Sequence, residues 1–591
     1  RDNSRIVGKE FNKVGDISII SDAQYTPCNE DQYLLKNCPG WKLKAKTVFH
    51  DESSKTIYYD NAILYILNIP ILYTPHFSHP DPSVNKRTGF LAPSIQNDNQ
   101  LGQVLSIPYF INFASNQDLT VTPTIQTTEN NYLTTEYRLL NSRGLFNIKA
   151  NLNDNEDKKG TRHLFFVDGE LNSTLSKFDF LIQTVNNDTY MKKNKINELN
   201  ILTNGIYIED RIDNNYFTLE AKSYKHLSST GSNQWEYVFP SLHYYISSID
   251  DPFFNGNLSN TINLLYTSNL NKDKEAYLSS EFSLNKEVIN GDNGLVFSNY
   301  IDTRVLYSNI KYESNNSDIE QIRIFPQISS KISLPLSKNS KDYSQTLSPI
   351  LMPIIAPYNN YTNNKTIDPG NIFSRNRASS ISEWESGPRI NYGLEWYIAH
   401  KEIYDAKFLL GQSIKKNKDS SDTSNELSDF MLSSNFGFND LGFITSNFIL
   451  DKNDFYIKDN STIVSVGNKK VKIAAEYEYT SDKYGIPDEQ IGIGTRIHLS
   501  KNFDFKYSGK RDLYTDTNIG YETGLFYEND CLAINFKYYR DLTKFKNVKD
   551  AKGYSLLITL KPFGNSKSFG KSITFGPQIW SVLKKYIFLL L

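Results

Sequence analysis

The sequence predicts an all-β protein whose larger part is a transmembrane antiparallel β-barrel, and three observations lead there. First, long stretches of the C-terminal part alternate with period two between apolar and fully charged residues. Second, aromatics make up 13% of the 591 residues, with 39 Tyr and 35 Phe, while charged residues are held to 22%. Third, no run approaches the roughly 20 apolar residues that a spanning helix needs. The best candidate, Ile63 to Tyr73, is interrupted by Asn68 and Pro70. A polar chain this rich in Tyr and Phe is poorly suited to disorder. It fits strands of which only alternate residues face lipid, bordered by aromatic girdles.

The alternation is explicit. Val471, Ile473, Ala475, Tyr477 and Tyr479 fall on one side of an extended segment, and Lys472, Glu476, Glu478 and Thr480 on the other. Phe503, Phe505 and Tyr507 oppose Asp504 and Lys506. Leu532, Ile534, Phe536 and Tyr538 oppose Ala533, Asn535 and Lys537. Successive strand side chains point to opposite faces, so each segment has an apolar and a polar face. A sandwich strand with one wet face reads the same way. The number of such segments without helical interruption is what favours a barrel.

Polar clusters punctuate them, at 153–160, 271–274, 416–424 and 527–530, and the longest link spans about 359–388. From about Lys86 to about Phe563 there are about 480 residues. At ~18 residues per strand with its connection, this allows about 26 strands. Residues 1–80 differ, with short strand-like pieces at Arg5–Val7, Asp16–Ile20, Lys42–Phe49 and Thr56–Tyr59. The expected organisation is therefore a small β domain over 1–80, a barrel over 81–566 and a tail of unclear structure over 567–591. Arg1-Asp2-Asn3-Ser4 carries neither a starting Met nor an apolar leader. The N-terminus is read as a truncation inside a domain, with the signal peptide missing from this fragment.

Net charge is −2, which gives no field that would select nucleic acid. No phosphate-binding Gly loop, zinc signature or nucleophile elbow is present, and no cofactor is expected. His76, His79 and Asp81 lie close together, but Pro80 and Pro82 make a rigid turn the better reading than a metal site. Cys28, Cys38 and Cys531 are an odd set. They are compatible with one pair and a free thiol, with a partner lost to truncation, or with three unpaired thiols. Pro93 and Pro108 fall in what would be the first two barrel strands. Proline has no amide to give to a ladder, so the pair either sets a bend or leaves a weak seam.

One stretch carries a family resemblance. Tyr73-Thr74-Pro75 is followed by His79-Pro80-Asp81-Pro82, the basic pair Lys86-Arg87 and Gly89-Phe90-Leu91-Ala92-Pro93. Then come Pro108-Tyr109-Phe110 with Ala114, and Asp118-Leu119-Thr120-Val121-Thr122-Pro123. This resembles the junction between the periplasmic domain and first barrel strands of the LptD family. Tyr25-Thr26-Pro27-Cys28 and Trp41-Lys42-Leu43-Lys44-Ala45 resemble the last strands of its β-jellyroll. Tyr343 to Pro349 with Ala356-Pro357-Tyr358 resembles its mid-barrel signature before a long external loop, and Cys531 to Arg540 the strand after its C-terminal cysteine pair. The family's adjacent cysteines appear here as Asp530-Cys531, and its loop Asp-Arg as Ser382-Glu383.

The resemblance implies an outer-membrane protein, not an enzyme, that receives lipopolysaccharide from the periplasm and inserts it into the outer leaflet. The first and last strands would part as a lateral gate at Pro93 and Pro108. It also implies a Cys28–Cys531 disulfide, with Cys38 as the alternative partner of Cys28. Implied partners are lipopolysaccharide, outer-membrane lipid, an LptE-like lipoprotein plug and an LptA-like periplasmic bridge protein. The other functions compatible with such a chain are a general channel or receptor barrel for passive transport, an outer-membrane lipase, and a soluble β-solenoid. No fixed internal repeat supports the last.

Overall fold

The computed structural model describes residues 4–561 apart from 32–37, 154–160, 252–255, 359–366, 417–424 and scattered single or paired positions. Pro82, the first part of the longest link (359–366) and the expected tail 567–591 lie outside the described residues.

Residues 5–80 form a six-stranded antiparallel sheet. Its strands Ile17–Thr26, Trp41–Asp51, Thr56–Ile66 and Ile69–Pro80 lie side by side, with Arg5–Val7 and Glu10–Val14 together flanking the first. Arg5–Val7 is a strand with the expected bounds, and the other three expected pieces fall, but for Asp16, within longer strands. Alternation explains the sheet's core. Trp41, Leu43 and Ala45 point inward and Lys42, Lys44 and Lys46 outward, and Ala23, Tyr25, Val48, Ile57 and Tyr59 complete the apolar side.

Residues 89–560 form the barrel. Thirty strand segments pair in chain order, and four pairs of them are halves of one interrupted strand, so 26 strands close into a ring. The breaks fall at 91–93, 107–108, 334–335 and 428–429. Closure comes from pairing of Ser94–Asp98 with the last strand, Ala551–Leu560. In lipid every backbone amide and carbonyl needs a partner, and a closed ring has no edge to leave unpaired.

The strands are amphipathic in the sense opposite to a soluble protein. In Gln117–Gln126 the buried side chains are Asp118, Thr120, Thr122, Thr124 and Gln126, while Ile125 is half exposed. In Ser317–Ser333, Ile322, Ile324 and Ile328 point outward, and Phe325, Gln327 and Ser329 point inward. The chain thus encloses a polar lumen inside an apolar belt. No described helix is long and apolar enough to cross a membrane. The described helical turns are short ones, at Tyr190–Lys193 and Asn439–Leu441.

The first barrel strand leaves the small domain, so alternate ends of successive strands can be assigned by following the chain. Turns such as 529–531 lie on the side of the small domain. Loop 186–200 and the links that leave the strands after Ile355 and Asp541 start on the far side.

Candidate functional site: the seam of the barrel

The ring is thinnest where it closes. The seam consists of five residue pairs, from Ser94↔Leu557 to Asp98↔Gly553. One further backbone bond, from Asn99 N–H to the Lys552 carbonyl, extends it. On its other side the last strand pairs with Leu532–Asp541 along its whole length, from Leu532↔Leu560 to Asp541↔Ala551. The half of the first strand nearer the small domain, Gly89–Phe90, pairs with Tyr109–Phe110 of the second strand.

Pro93 and Pro108 lie at breaks in the first two strands. Pro93 lies in the break between Gly89–Phe90 and Ser94–Asp98, and Pro108 in the break between Gly102–Ser106 and Tyr109–Ala114. The two breaks face one another, because the Leu91 amide donates to the Pro108 carbonyl (2.9 Å). Neither proline can donate, so the ladder fails on both strands at the same height.

The small domain sits beneath this region. Cys28 and Cys531 are joined by a disulfide, with Cα atoms 5.2 Å apart and a sequence separation of 503. Both cysteines are buried, and the Trp41 indole N–H donates to the Cys531 carbonyl (3.1 Å). Tyr527, Cys531 and Leu532 belong to the same apolar core as Tyr25, Trp41 and Tyr59, and Ile558 and Leu560 of the last strand pack against it. A Cβ on Gly40 would meet Leu532 Cβ at 3.3 Å, so bare backbone is what lets the domain approach this closely. The domain therefore rests on the ends of the last strands, beside the seam. Cys38 is not the partner of Cys28. It lies in the two-residue strand Cys38–Pro39, paired with Glu30–Asp31.

His76, His79 and Asp81 do not converge. His76 pairs with Asp60 (2.7 Å), Asp81 with His50 (2.8 Å), and His79 bonds the Tyr59 hydroxyl (2.7 Å). Burial between Tyr25 and Tyr59 lowers the His79 imidazole to about 4.

The described part of the longest loop, 367–388, folds inward instead of standing outside the barrel. Trp384 stacks on Phe325 and packs with Tyr277 and Leu306 of the inner wall. The Arg304 guanidinium lies 4.6 Å from the Trp384 ring centroid, binds Glu281 (2.7 Å) and donates to the Glu383 carbonyl. Arg323 donates to the Ser382 carbonyl. Within the loop Arg377 binds Glu385 through Nε (2.7 Å), and Arg389 approaches the same carboxylate, all three side chains fully buried. Such charges are costly to desolvate singly, so the cluster fixes one placement of the loop more than it adds stability. Its wall contacts come from inward positions of strands far apart in sequence, which no local pattern marks. At the far end of the seam, Asp98, Tyr539 and Lys195 meet, again without a sequence signal.

Comparison with known proteins supplies the family. The LptD family, described as LPS transport system D, matches residues 160–508. The LPS-assembly protein LptD of Shewanella frigidimarina is 24% identical over 598 aligned positions, covering 89% of this chain and 74% of that protein. The same-named protein of Vibrio cholerae is 23% identical, with 91% of this chain and 77% of its own length covered. For that of Idiomarina loihiensis the identity is 23%, and the match takes in 64% of this chain and 51% of the relative. The chain thus spans between about half and about three quarters of these relatives. Among solved structures, the FrpB iron transporter from Neisseria meningitidis gives a TM-score of 0.32 at 8% identity, covering 85% of this chain and 86% of that one, too distant to add to the argument. The polar-lined ring, its short seam and the match over more than half the chain lead to one conclusion: the chain belongs to the LptD family.

Proposed function

We propose that this chain takes lipopolysaccharide from the periplasmic side and passes it into the outer leaflet of the outer membrane through a lateral gate between its first and last barrel strands. The observation that carries the reading is the five-pair seam, broken by Pro93 and Pro108 and set directly above a small domain bonded to the barrel. A lipid with a large sugar headgroup cannot cross a closed wall, because one of its halves would always meet the wrong solvent. A slit between a polar lumen and the surrounding lipid serves both halves at once. The headgroup travels inside while the acyl chains slide out between the strands.

In this reading the small domain receives the lipid from an LptA-like bridge protein, and an LptE-like lipoprotein occupies lumen left free by loop 367–388. The chain performs no covalent chemistry, and the driving force comes from other components.

Site-specific photocrosslinking in cells tests it, with the probe at Ser94 in the seam and a control at Tyr477 on a distant strand. The expected result is a lipopolysaccharide adduct at Ser94 and none at Tyr477. No adduct at either site in a correctly folded barrel would favour a passive channel and reduce the prolines to bends.

A further inference from the structure

The far end of the seam is tied by a group of side chains that bypasses the last strand altogether. Asp98 ends the first strand, Gly553 stands opposite it on the last, and Tyr539 stands opposite Gly553 on the strand before. All three positions face the lumen. Gly553 has no side chain, so the Tyr539 hydroxyl reaches over it and donates to the Asp98 carboxylate (2.8 Å). A Cβ on Gly553 would lie 2.2 Å from the Asn97 carbonyl oxygen and 2.8 Å from that hydroxyl. Only glycine permits the crossing.

Lys195 caps the pair from above. Its ammonium donates to Asp98 and to the Tyr539 oxygen (2.6 Å), and lies 4.2 Å from the Tyr539 ring centroid. The Asp98 side chain is fully buried among these partners, and its other oxygen accepts from the Gln100 and Leu101 amides. Lys195 has a left-handed backbone (φ 53°), a conformation that costs a non-glycine residue and is kept where surroundings over-determine it.

Lys195 belongs to the loop 186–200, between the strands Ser176–Val185 and Ile201–Ile212. That loop holds both banks of the seam. On the first-strand bank, Lys193 pairs with Glu129 (2.9 Å) and Asn194 accepts from Gln126 (3.5 Å). On the other, Asp188 pairs with Lys546 (2.8 Å), and Val548 packs against the loop's buried Tyr190 and Met191. The loop is anchored in turn by Leu164, Val185, Leu202 and Leu227.

We infer that loop 186–200 is a latch. Through Lys195, Asp98 and Tyr539 it holds the outer end of the seam shut, and release of this triad is the step that lets the first and last strands part. This rests on the lateral-gate reading and adds to it the residues that set the closed state. The described seam is five pairs long, so a side-chain tie at its outer end is a large part of what holds it closed. Charge-assisted bonds among buried groups are the strong kind. Loss of one is expected to raise the open fraction about tenfold.

The test is a distance across the seam in the full chain, in outer-membrane vesicles. Ile125, Leu105, Ile95, Leu556 and Phe536 are register partners across five adjacent strands. Spin labels at Ile125→Cys and Phe536→Cys, in a Cys38→Ser background, thus sit four strand spacings apart, roughly 19 Å at ~4.8 Å each. Pulsed electron resonance reads that distance. Lys195→Met and Tyr539→Phe, which keeps the ring, are each expected to raise a longer-distance population about tenfold. The double variant should add little, because both remove one triad. An unchanged distance in both single variants, with barrels shown folded by their heat-dependent gel mobility, overturns the latch and leaves the gate reading standing. A lengthened distance with no change in surface lipopolysaccharide or in the Ser94 adduct supports the latch as a closure device and overturns the gate reading.

Discussion

The wall opposite the seam and the seam itself are built from the same kind of strand and differ in height. The strands Val296–Tyr312 and Ser317–Ser333 pair without a break from Val296↔Ser333 to Tyr312↔Ser317, and Lys274–Ile289 pairs along its whole length with the first of them. The seam has five pairs. Parting strands in a membrane strips backbone groups of partners that lipid cannot replace, at several kcal/mol for each group left unsatisfied. Ladder height therefore decides where a ring of this size can open. The wall also carries the apolar and charged contacts of loop 367–388, which stiffen it from inside. The seam instead carries proline breaks near the small domain and a side-chain triad at the other end.

The largest effect is expected where the seam is tied to its support. A Cys531→Ser variant loses a bond closing 503 residues. The chain-entropy account gives roughly 6 kcal/mol for such a loop, and measured losses of native disulfides are usually about 2–5 kcal/mol. The small domain should come away from the barrel. Limited proteolysis should then release it, while heat-dependent gel mobility shows the barrel still closed. Equal protease resistance of variant and parent would remove the domain's role in placing the seam.

A smaller effect is expected from making the seam resemble the wall. Pro93→Ala with Pro108→Ala restores two amide donors where the first two strands break. At about 1 kcal/mol per hydrogen bond, delivery of lipopolysaccharide to the cell surface should slow about fivefold if one of the two donors finds a partner and about thirtyfold if both do. Unchanged delivery would make the prolines simple bends.

The smallest effect concerns pH. The buried His79 is lowered from its ordinary value to about 4, so the folded small domain holds its neutral form. Its contribution is fully present above about 6.5, the ordinary histidine value. It is lost as pH falls towards 4, because the unfolded chain takes up the proton first. Protease resistance of the small domain should decline over that interval, and His79→Phe should flatten the decline. The wall is expected to show no matching change.

How much of this the sequence revealed follows from how local each feature is. Period-two alternation is local, so the barrel and its polar interior were readable from segments such as Val471–Thr480, and a strand number near 26 followed from the length of the region at ~18 residues per strand. The polar turn at 527–530 was visible too. The Cys28–Cys531 pairing came only through family resemblance, because spacing alone says nothing about a bond across 503 residues. The latch was not legible at all. Asp98 and Tyr539 are 441 positions apart and Lys195 belongs to neither strand. Their meeting depends on strand register, and Gly553 reads in sequence as an unremarked strand residue until its neighbours are known. That the longest loop, leaving from the outer end of the barrel, turns inward was not legible for the same reason. Its anchors Tyr277, Leu306 and Phe325 look like ordinary strand residues until the inner face is assigned.

The most direct measurement locks one ladder at a time. Ile95→Cys with Leu556→Cys places a disulfide across the seam, and Val305→Cys with Ile324→Cys places one across the wall, both at register partners. With each bond formed in cells, newly made lipopolysaccharide at the surface is counted. The account predicts that the seam lock stops delivery and the wall lock leaves it at the parental rate. Parental delivery through a locked seam would contradict it.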